Sequence, residues 1–244
     1  MDQLLLPFSI EPRFTLESFI VHGEIEVVHG TVQSVYGRGD PPFPSLFLHG
    51  PQGTGKTHLL RALASLFESL LPERKLGSFL VLPRGTPPSF PDLEKAVSIA
   101  DSSAQELAAV AVDGVHLLGE QDTALLWTLS NQLTRVETAL LMASELPPDD
   151  VFRGNEHLRS RTTAGLVLEL APPEDNSRVL IVDKIARDRN VRIPEEVCRY
   201  LVTRKSRNIK ELERIIAVLD RASLELKRRI TLPLVRLLEE QGLV

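Results

Sequence analysis

Apolar positions along the chain fall into two regimes. Up to about residue 171, short and nearly continuous apolar runs alternate with stretches of helical spacing. Beyond that point only the helical spacing continues. The runs at 46–49, 77–82, 107–112, 139–143 and 166–170 predict buried strands. Apolar residues at Leu59, Ala62, Leu63, Leu66, Phe67 and Leu70 predict a helix over 58–70, with a short helix at 92–100 and a longer one at 123–136, where Trp127 reads as a packing residue. Strands alternating with helices imply a parallel sheet with right-handed crossovers. Residues 14–36 read as mostly helical after a short turn, and 37–44 and 83–91 are Gly/Pro-rich loops. Pro172-Pro173 marks a boundary. After it come helices over 176–190, 194–203 and 208–226 and a last one starting near Pro233, with Thr231 as its N-cap. The chain thus divides into an extended leader (1–13), an α/β domain (14–171) and a small helical domain (172–244).

One connection carries a chemical pattern. Gly50-Pro51-Gln52-Gly53-Thr54-Gly55-Lys56-Thr57 is a complete G-x-x-x-x-G-K-T phosphate-binding loop, placed between the first predicted strand and the first long helix. Each position has a physical task. The glycines let backbone N–H groups turn toward phosphate oxygens. Lys56 sets a positive charge against the outer phosphates, Thr57 can ligate Mg²⁺, and the N-terminal turn beginning near His58 adds the helix dipole.

Composition narrows the classes. At 244 residues, 43% hydrophobic and 25% charged, the chain is long enough for one α/β core plus an appendage. It has no apolar stretch of membrane-spanning length and no signal-peptide pattern, so a cytoplasmic protein is expected. The single cysteine, Cys198, lies in an apolar helical pattern and reads as a packing residue. No His/Cys cluster suggests a structural metal. The net charge of −5 argues against a wholly basic nucleic-acid binder, but the charge is uneven. From Pro172 on, 16 Lys and Arg stand against 12 Asp and Glu, a net of +4, which leaves −9 for the rest. A basic helical domain suits nucleotide phosphates, nucleic acid or an acidic partner, and equally a solvated surface.

The third strand ends Val112-Asp113-Gly114. A carboxylate at the end of an apolar strand, downstream of a phosphate loop, suits the Mg²⁺-organising acid of a P-loop NTPase. Many such ATPases carry a second carboxylate next. Here that position is Gly114, so self-catalysed hydrolysis is expected to be weak unless Glu120 or a group from another chain substitutes. His116, just beyond, reads as structural.

Together these residues resemble the AAA+ ATPases of the DnaA initiator branch over nearly the whole chain. The resemblance implies an α/β P-loop module with a five-stranded parallel sheet flanked by helices, followed by a helical lid, binding ADP or ATP with Mg²⁺. It places Phe19, Ile20 and Val21 in the segment that holds adenine, and Ser144 at the position that senses the γ-phosphate. Arg161 stands at the arginine finger, with Arg153 a second candidate, and Lys210 stands in the lid helix where the family usually has Arg. Nucleotide contacts would then come from Gly50, Gln52, Gly53, Thr54, Gly55, Lys56, Thr57, His58, Asp113, Ser144 and Lys210, and metal contacts from Thr57 and Asp113.

The first residues, Gln3-Leu4-Leu5-Leu6-Pro7-Phe8, resemble the peptide by which bacterial proteins dock on the sliding clamp of DNA polymerase. Leu6 and Phe8 would fill an apolar pocket, Gln3 would hydrogen-bond at its rim and Pro7 would stiffen the extended backbone, with Leu4 also among the clamp-binding residues. A DnaA-like module bearing this peptide, with no DNA-binding domain after the lid, is similar to the Hda-type regulators that inactivate the initiator, although those often carry degenerate phosphate loops. The resemblance implies DnaA and the clamp as partners, DNA contacted mainly through the clamp, no membrane, and self-association as an option. Two other readings stay open: a helicase-loader-like, DNA-stimulated ATPase, and a clamp-tethered adaptor without turnover.

Overall fold

The computed structural model describes residues 14–23, 25–37, 45–70, 76–80, 93–94, 97–98, 100–101, 107–136 and 138–244. The chain separates into two compact units, Phe14–Pro172 and a second whose described part is Pro173–Val244. The clamp-like leader and the whole of the expected 83–91 loop lie outside the described residues.

The first unit runs α1 (Ile25–Tyr36), β1 (Ser45–His49), α2 (Lys56–Leu70), β2 (Leu76–Leu80), β3 (Leu107–Asp113), a 3-10 turn (Val115–Leu117), α3 (Glu120–Arg135), β4 (Ala139–Ser144), α4 (Pro148–Val151), α5 (Glu156–Thr163) and β5 (Leu166–Glu169). Among the described residues the sheet has five parallel strands in the order β2-β3-β4-β1-β5. Strict side-chain alternation explains why a helical layer covers each face. Leu46 and Leu48, Ala109 and Ala111, and Leu141 and Ala143 pack on one side with residues of α1 and α2. Phe47, Val110, Val112, Leu140 and Met142 pack on the other with Leu126, Leu129 and Leu133 of α3 and Leu158 of α5. Truncating one such buried leucine costs about 2–5 kcal/mol, a large share of the roughly 5–15 kcal/mol that holds a domain. A one-residue register slip is therefore closed to these strands.

Several element boundaries differ from the pattern-based expectation, mostly by one to three residues at an element's end. Helix α1 starts only at Ile25, because Thr15 and Ser18 close a reciprocal turn and Gly23 takes φ +46°, which ends any helical run before it. Strand β2 begins one residue earlier than expected, at Leu76. Leu170 falls just after β5, where its N–H still donates to His49 O at 2.7 Å.

The second unit is helical: α6 (Asp175–Asp188), α7 (Glu195–Tyr200), α8 (Ile209–Leu226) and α9 (Leu232–Glu240). Helix α6 closes through Asn190 at φ 58°, and α8 through Lys227 at φ 51°. The expected helix over 194–203 is split. After Tyr200 the coil widens into a π turn (Leu201–Lys205), with Ser206 N donating to Leu201 O at 3.2 Å. Asn208 caps α8 by accepting from Lys210 N at 2.9 Å. A separate core gathers Val182, Val197, Cys198, Leu201, Ile216, Leu219 and Val235. Cys198 is fully buried there, and burial, with Asp183 adding to it, pushes its thiol up to about 11. Its thiolate is thus suppressed in the native state. At about pH 8 the native protein should react with an aromatic disulfide reagent orders of magnitude more slowly than denatured protein; comparable rates would contradict this packing.

Candidate functional site

The parallel strands bring their carboxyl ends to one edge, where ligands of open α/β sheets gather. Register places His49 of β1 beside Ser144 of β4 and Glu169 of β5, and Asp113 of β3 beside Ala143. Residues far apart in sequence thus meet on a single edge.

The phosphate loop leaves β1 here. Gly50, Gly53 and Gly55 all have positive φ, at 141°, 83° and 96°. Gly50 could not be any other residue without a backbone shift, since a Cβ there would lie 2.2 Å from Leu170 O. The Lys56 ammonium, 7% exposed, donates to Gly50 O and Pro51 O, each at 2.7 Å. Thr54 Oγ1 lies 3.4 Å from it and itself donates to Pro51 O. The charge is therefore held at the mouth of the loop by carbonyls, where an anion would displace weaker neutral partners.

Thr57 Oγ1 donates to Asp113 Oδ2 at 2.5 Å, joining the first turn of α2 to the end of β3. A hydroxyl and a carboxylate are hard oxygen donors that suit Mg²⁺, which needs only one or two protein ligands when phosphates and water supply the rest. Among the described residues no cluster of three or more His, Cys, Asp or Glu side chains could hold a metal by itself. Gly114 follows with φ +84°, its N–H bonded to Ala143 O, and offers no side chain at the position after Asp113.

Other expected residues are more engaged with protein than their positions in the chain suggested. Ser144 is buried, and its Oγ accepts from Leu146 N at 2.9 Å, shaping the turn after β4. His58 faces the opening segment. Its Nε2 lies 3.1 Å from Thr15 O and 3.2 Å from Ser18 Oγ, and Phe14 and Phe19 pack edge-on to its ring. Phe19 is buried beneath Gly55 and stacks on His29, whereas Ile20 is half-buried and Val21 exposed. Of the three expected adenine-side residues, Phe19 thus supports the loop and the other two present surface.

Arg161, in the last turn of α5, donates to Asn131 Oδ1 at 2.7 Å and lies 5.0 Å over the Trp127 ring, which also neighbours His157. Trp127 and Asn131 sit one turn apart on α3, so one helix face forms a platform for the guanidinium. Arg153 is 82% exposed and pairs with Asp150. Lys210 lies in the second unit, in the first turn of α8.

Pattern reasoning missed a bridge. Gln52, at the tip of the phosphate loop, donates to Glu145 Oε1 at 3.3 Å, and Glu145 N donates to His116 Nδ1 at 3.1 Å. His116 thus fastens the turn after β4 to the 3-10 turn after β3. No local sequence signal marks Gln52 and Glu145, which lie far apart in the chain. His49 was also passed over. Burial holds its pKa below the ordinary value of 6.5, and Lys56 lowers it further against an opposing pull from Glu169.

The comparisons fit this geometry. Residues 10–169 match the family model of the bacterial DnaA ATPase domain, and residues 175–238 match that of the Hda lid domain. The chain belongs to the bacterial DnaA ATPase-domain family of AAA+ proteins, and its second unit is of the Hda lid type. DnaA of Thermoanaerobacter sp. (strain X514) is 26% identical over 234 residues, covering 90% of this chain and 51% of that protein. The chain therefore spans about half the length of the curated relatives it matches. Domain III of Thermotoga maritima DnaA has the same fold, with a TM-score of 0.73 at 22% identity over 94% of this chain and 97% of that one. AMPPCP-bound DnaA from Aquifex aeolicus matches with a TM-score of 0.58 at 23% identity, over 89% and 68%. Among the described residues, no helix is long and apolar enough to cross a membrane.

A histidine whose pKa falls on folding gives stability that is complete above about pH 6.5 and drains away as pH drops through the folded-state value. The stability difference between wild type and His49→Gln, measured by urea unfolding across that range, should shift against wild type as pH falls. A difference that does not change with pH would contradict the assignment.

Proposed function

We propose that this chain is an adenine-nucleotide-binding regulator of replication initiation that promotes hydrolysis of ATP on DnaA. The observation that carries the reading is the Thr57–Asp113 pair beside the cradled Lys56, followed at once by Gly114. The side chains suited to phosphate and Mg²⁺ stand close together, while the position after Asp113 offers no carboxylate to activate water. Glu120, the nearest acid in sequence order, is exposed in the first turn of α3. Such a site keeps nucleotide and turns it over slowly. Backbone N–H groups at Gly53 and Gly55 and the Lys56 ammonium would bind phosphate oxygens, with Thr57 and Asp113 holding Mg²⁺. That Aquifex DnaA was solved with AMPPCP supports an adenine nucleotide.

The output is made by Arg161. A guanidinium carried on a rigid platform of Trp127 and Asn131 is pre-oriented, as a finger entering another protein's site must be. Its fork would stabilise charge on the transferring phosphoryl of DnaA-bound ATP, an effect worth about 10³–10⁵ in rate. The peptide Gln3-Leu4-Leu5-Leu6-Pro7-Phe8 would hold the chain on the DNA-loaded sliding clamp. Arg153, already paired with Asp150, is the second finger candidate.

Single-turnover hydrolysis of ATP bound to DnaA, with clamp loaded on DNA, tests this. Wild type should accelerate hydrolysis, and Leu6→Ala/Phe8→Ala should abolish the clamp dependence. Arg161→Ala should lose roughly 10³-fold or more. Arg161→Lys should fail to rescue, since lysine lacks the planar fork and stacks poorly. No acceleration by wild type would overturn the reading.

Asn131→Ala and Trp127→Ala should each lower the maximal rate by about tenfold, the worth of one partner at roughly 1.4 kcal/mol. Clamp binding should be untouched. Unchanged rates in both would show that the platform does not position Arg161.

A further inference from the structure

Among the described residues of the second unit, half of the basic side chains form ion pairs: Arg178, Lys184, Arg187, Arg189, Arg199, Lys205, Arg207 and Arg214. The cations without an ion-pair partner among the described residues concentrate at one end. The chain reverses at Lys227, in left-handed conformation, and exposes Arg228 and Arg229; Arg236 stands exposed on α9 just beyond. These three arginines rim an open groove of about 640 Å³, floored by Pro233, Leu234 and Leu237. One acid, Glu240, faces them there. Thr231, at the start of α9, makes no side-chain cap, so the positive end of that helix also opens into the groove.

We propose that this groove docks on the sugar–phosphate backbone of duplex DNA. The charge balance on its walls is +2, and its cations are all arginine, which bonds phosphate oxygens in pairs. Among the described residues of the unit the only aromatic one is Tyr200, whose hydroxyl donates to Glu239. No aromatic side chain lines the groove to stack successive unpaired bases, which favours backbone contact with a duplex over single-stranded DNA. The open shape fits a continuous strand better than an enclosed small phosphate ligand. This inference does not depend on the regulator reading, since it concerns another surface and needs neither nucleotide nor clamp.

Fluorescence anisotropy of a short labelled duplex, titrated with the full chain over a series of KCl concentrations, tests it. Non-specific affinity of about 10⁻⁴–10⁻⁶ M is expected near physiological salt. With three phosphate contacts, log K should fall with log salt at a slope near −2.7. Arg228→Ala/Arg229→Ala/Arg236→Ala should lose at least about tenfold in affinity and most of that slope. The triple Lys variant should keep most of the slope, which controls for folding. Glu240→Gln should tighten binding severalfold. Arg192→Ala/Arg204→Ala removes two exposed, unpaired cations elsewhere and should change nothing. Wild-type affinity and slope in the triple Ala variant would overturn the proposal. So would single-stranded DNA or a poly-glutamate peptide binding the groove more tightly than the duplex.

Discussion

The hydrogen bond from Thr57 to Asp113 is the contact on which the functional edge depends. It ties the start of α2 to the end of β3, two strands away across β4, and so closes the phosphate loop against the sheet. Its geometry requires all three strands to end together, which the parallel register supplies by setting His49 against Ser144 and Asp113 against Ala143. That register is in turn enforced by alternating side chains buried on both faces. Core packing and site geometry are therefore one constraint. A slip that exposed Leu46, Leu141 or Val112 would also carry the hydroxyl and carboxylate apart.

Around this bond the charges are arranged unevenly in strength. Lys56 is buried and held by carbonyl oxygens, so its field at the loop is weakly screened. The ion pairs of Arg153 and Arg159 lie in solvent and contribute little. Arg161 is between these extremes. An uncharged amide and an aromatic face hold its guanidinium, which fixes its direction with no carboxylate paired to it among the described residues. A carboxylate partner would have fixed the direction and cancelled the charge.

Much of this was legible in the chain itself. The phosphate loop announces itself because its glycines, lysine and threonine are contiguous, and Asp113 because it terminates an apolar run. The lid helices follow from their spacing. What escaped reading depends on contacts between distant segments. The family resemblance casts His58 and Phe19 as ligand-facing residues, yet the turn closed by Thr15 and Ser18 draws both into packing. Trp127 reads as core from its helical position, and only the approach of α5 shows it carrying Arg161. The Gln52–Glu145 bridge joins two loops that no periodicity connects. The late start of α1 turns on the positive φ of Gly23, a conformation composition does not fix.

The most direct test of this account is calorimetric titration of the protein with ADP, with and without Mg²⁺, in wild type and Asp113→Asn. The account predicts that Mg²⁺ tightens binding in wild type and that Asp113→Asn removes most of the Mg²⁺ contribution while leaving metal-free affinity nearly unchanged. ADP affinity indifferent to Mg²⁺ and to Asp113, or no ADP binding at all, would contradict it.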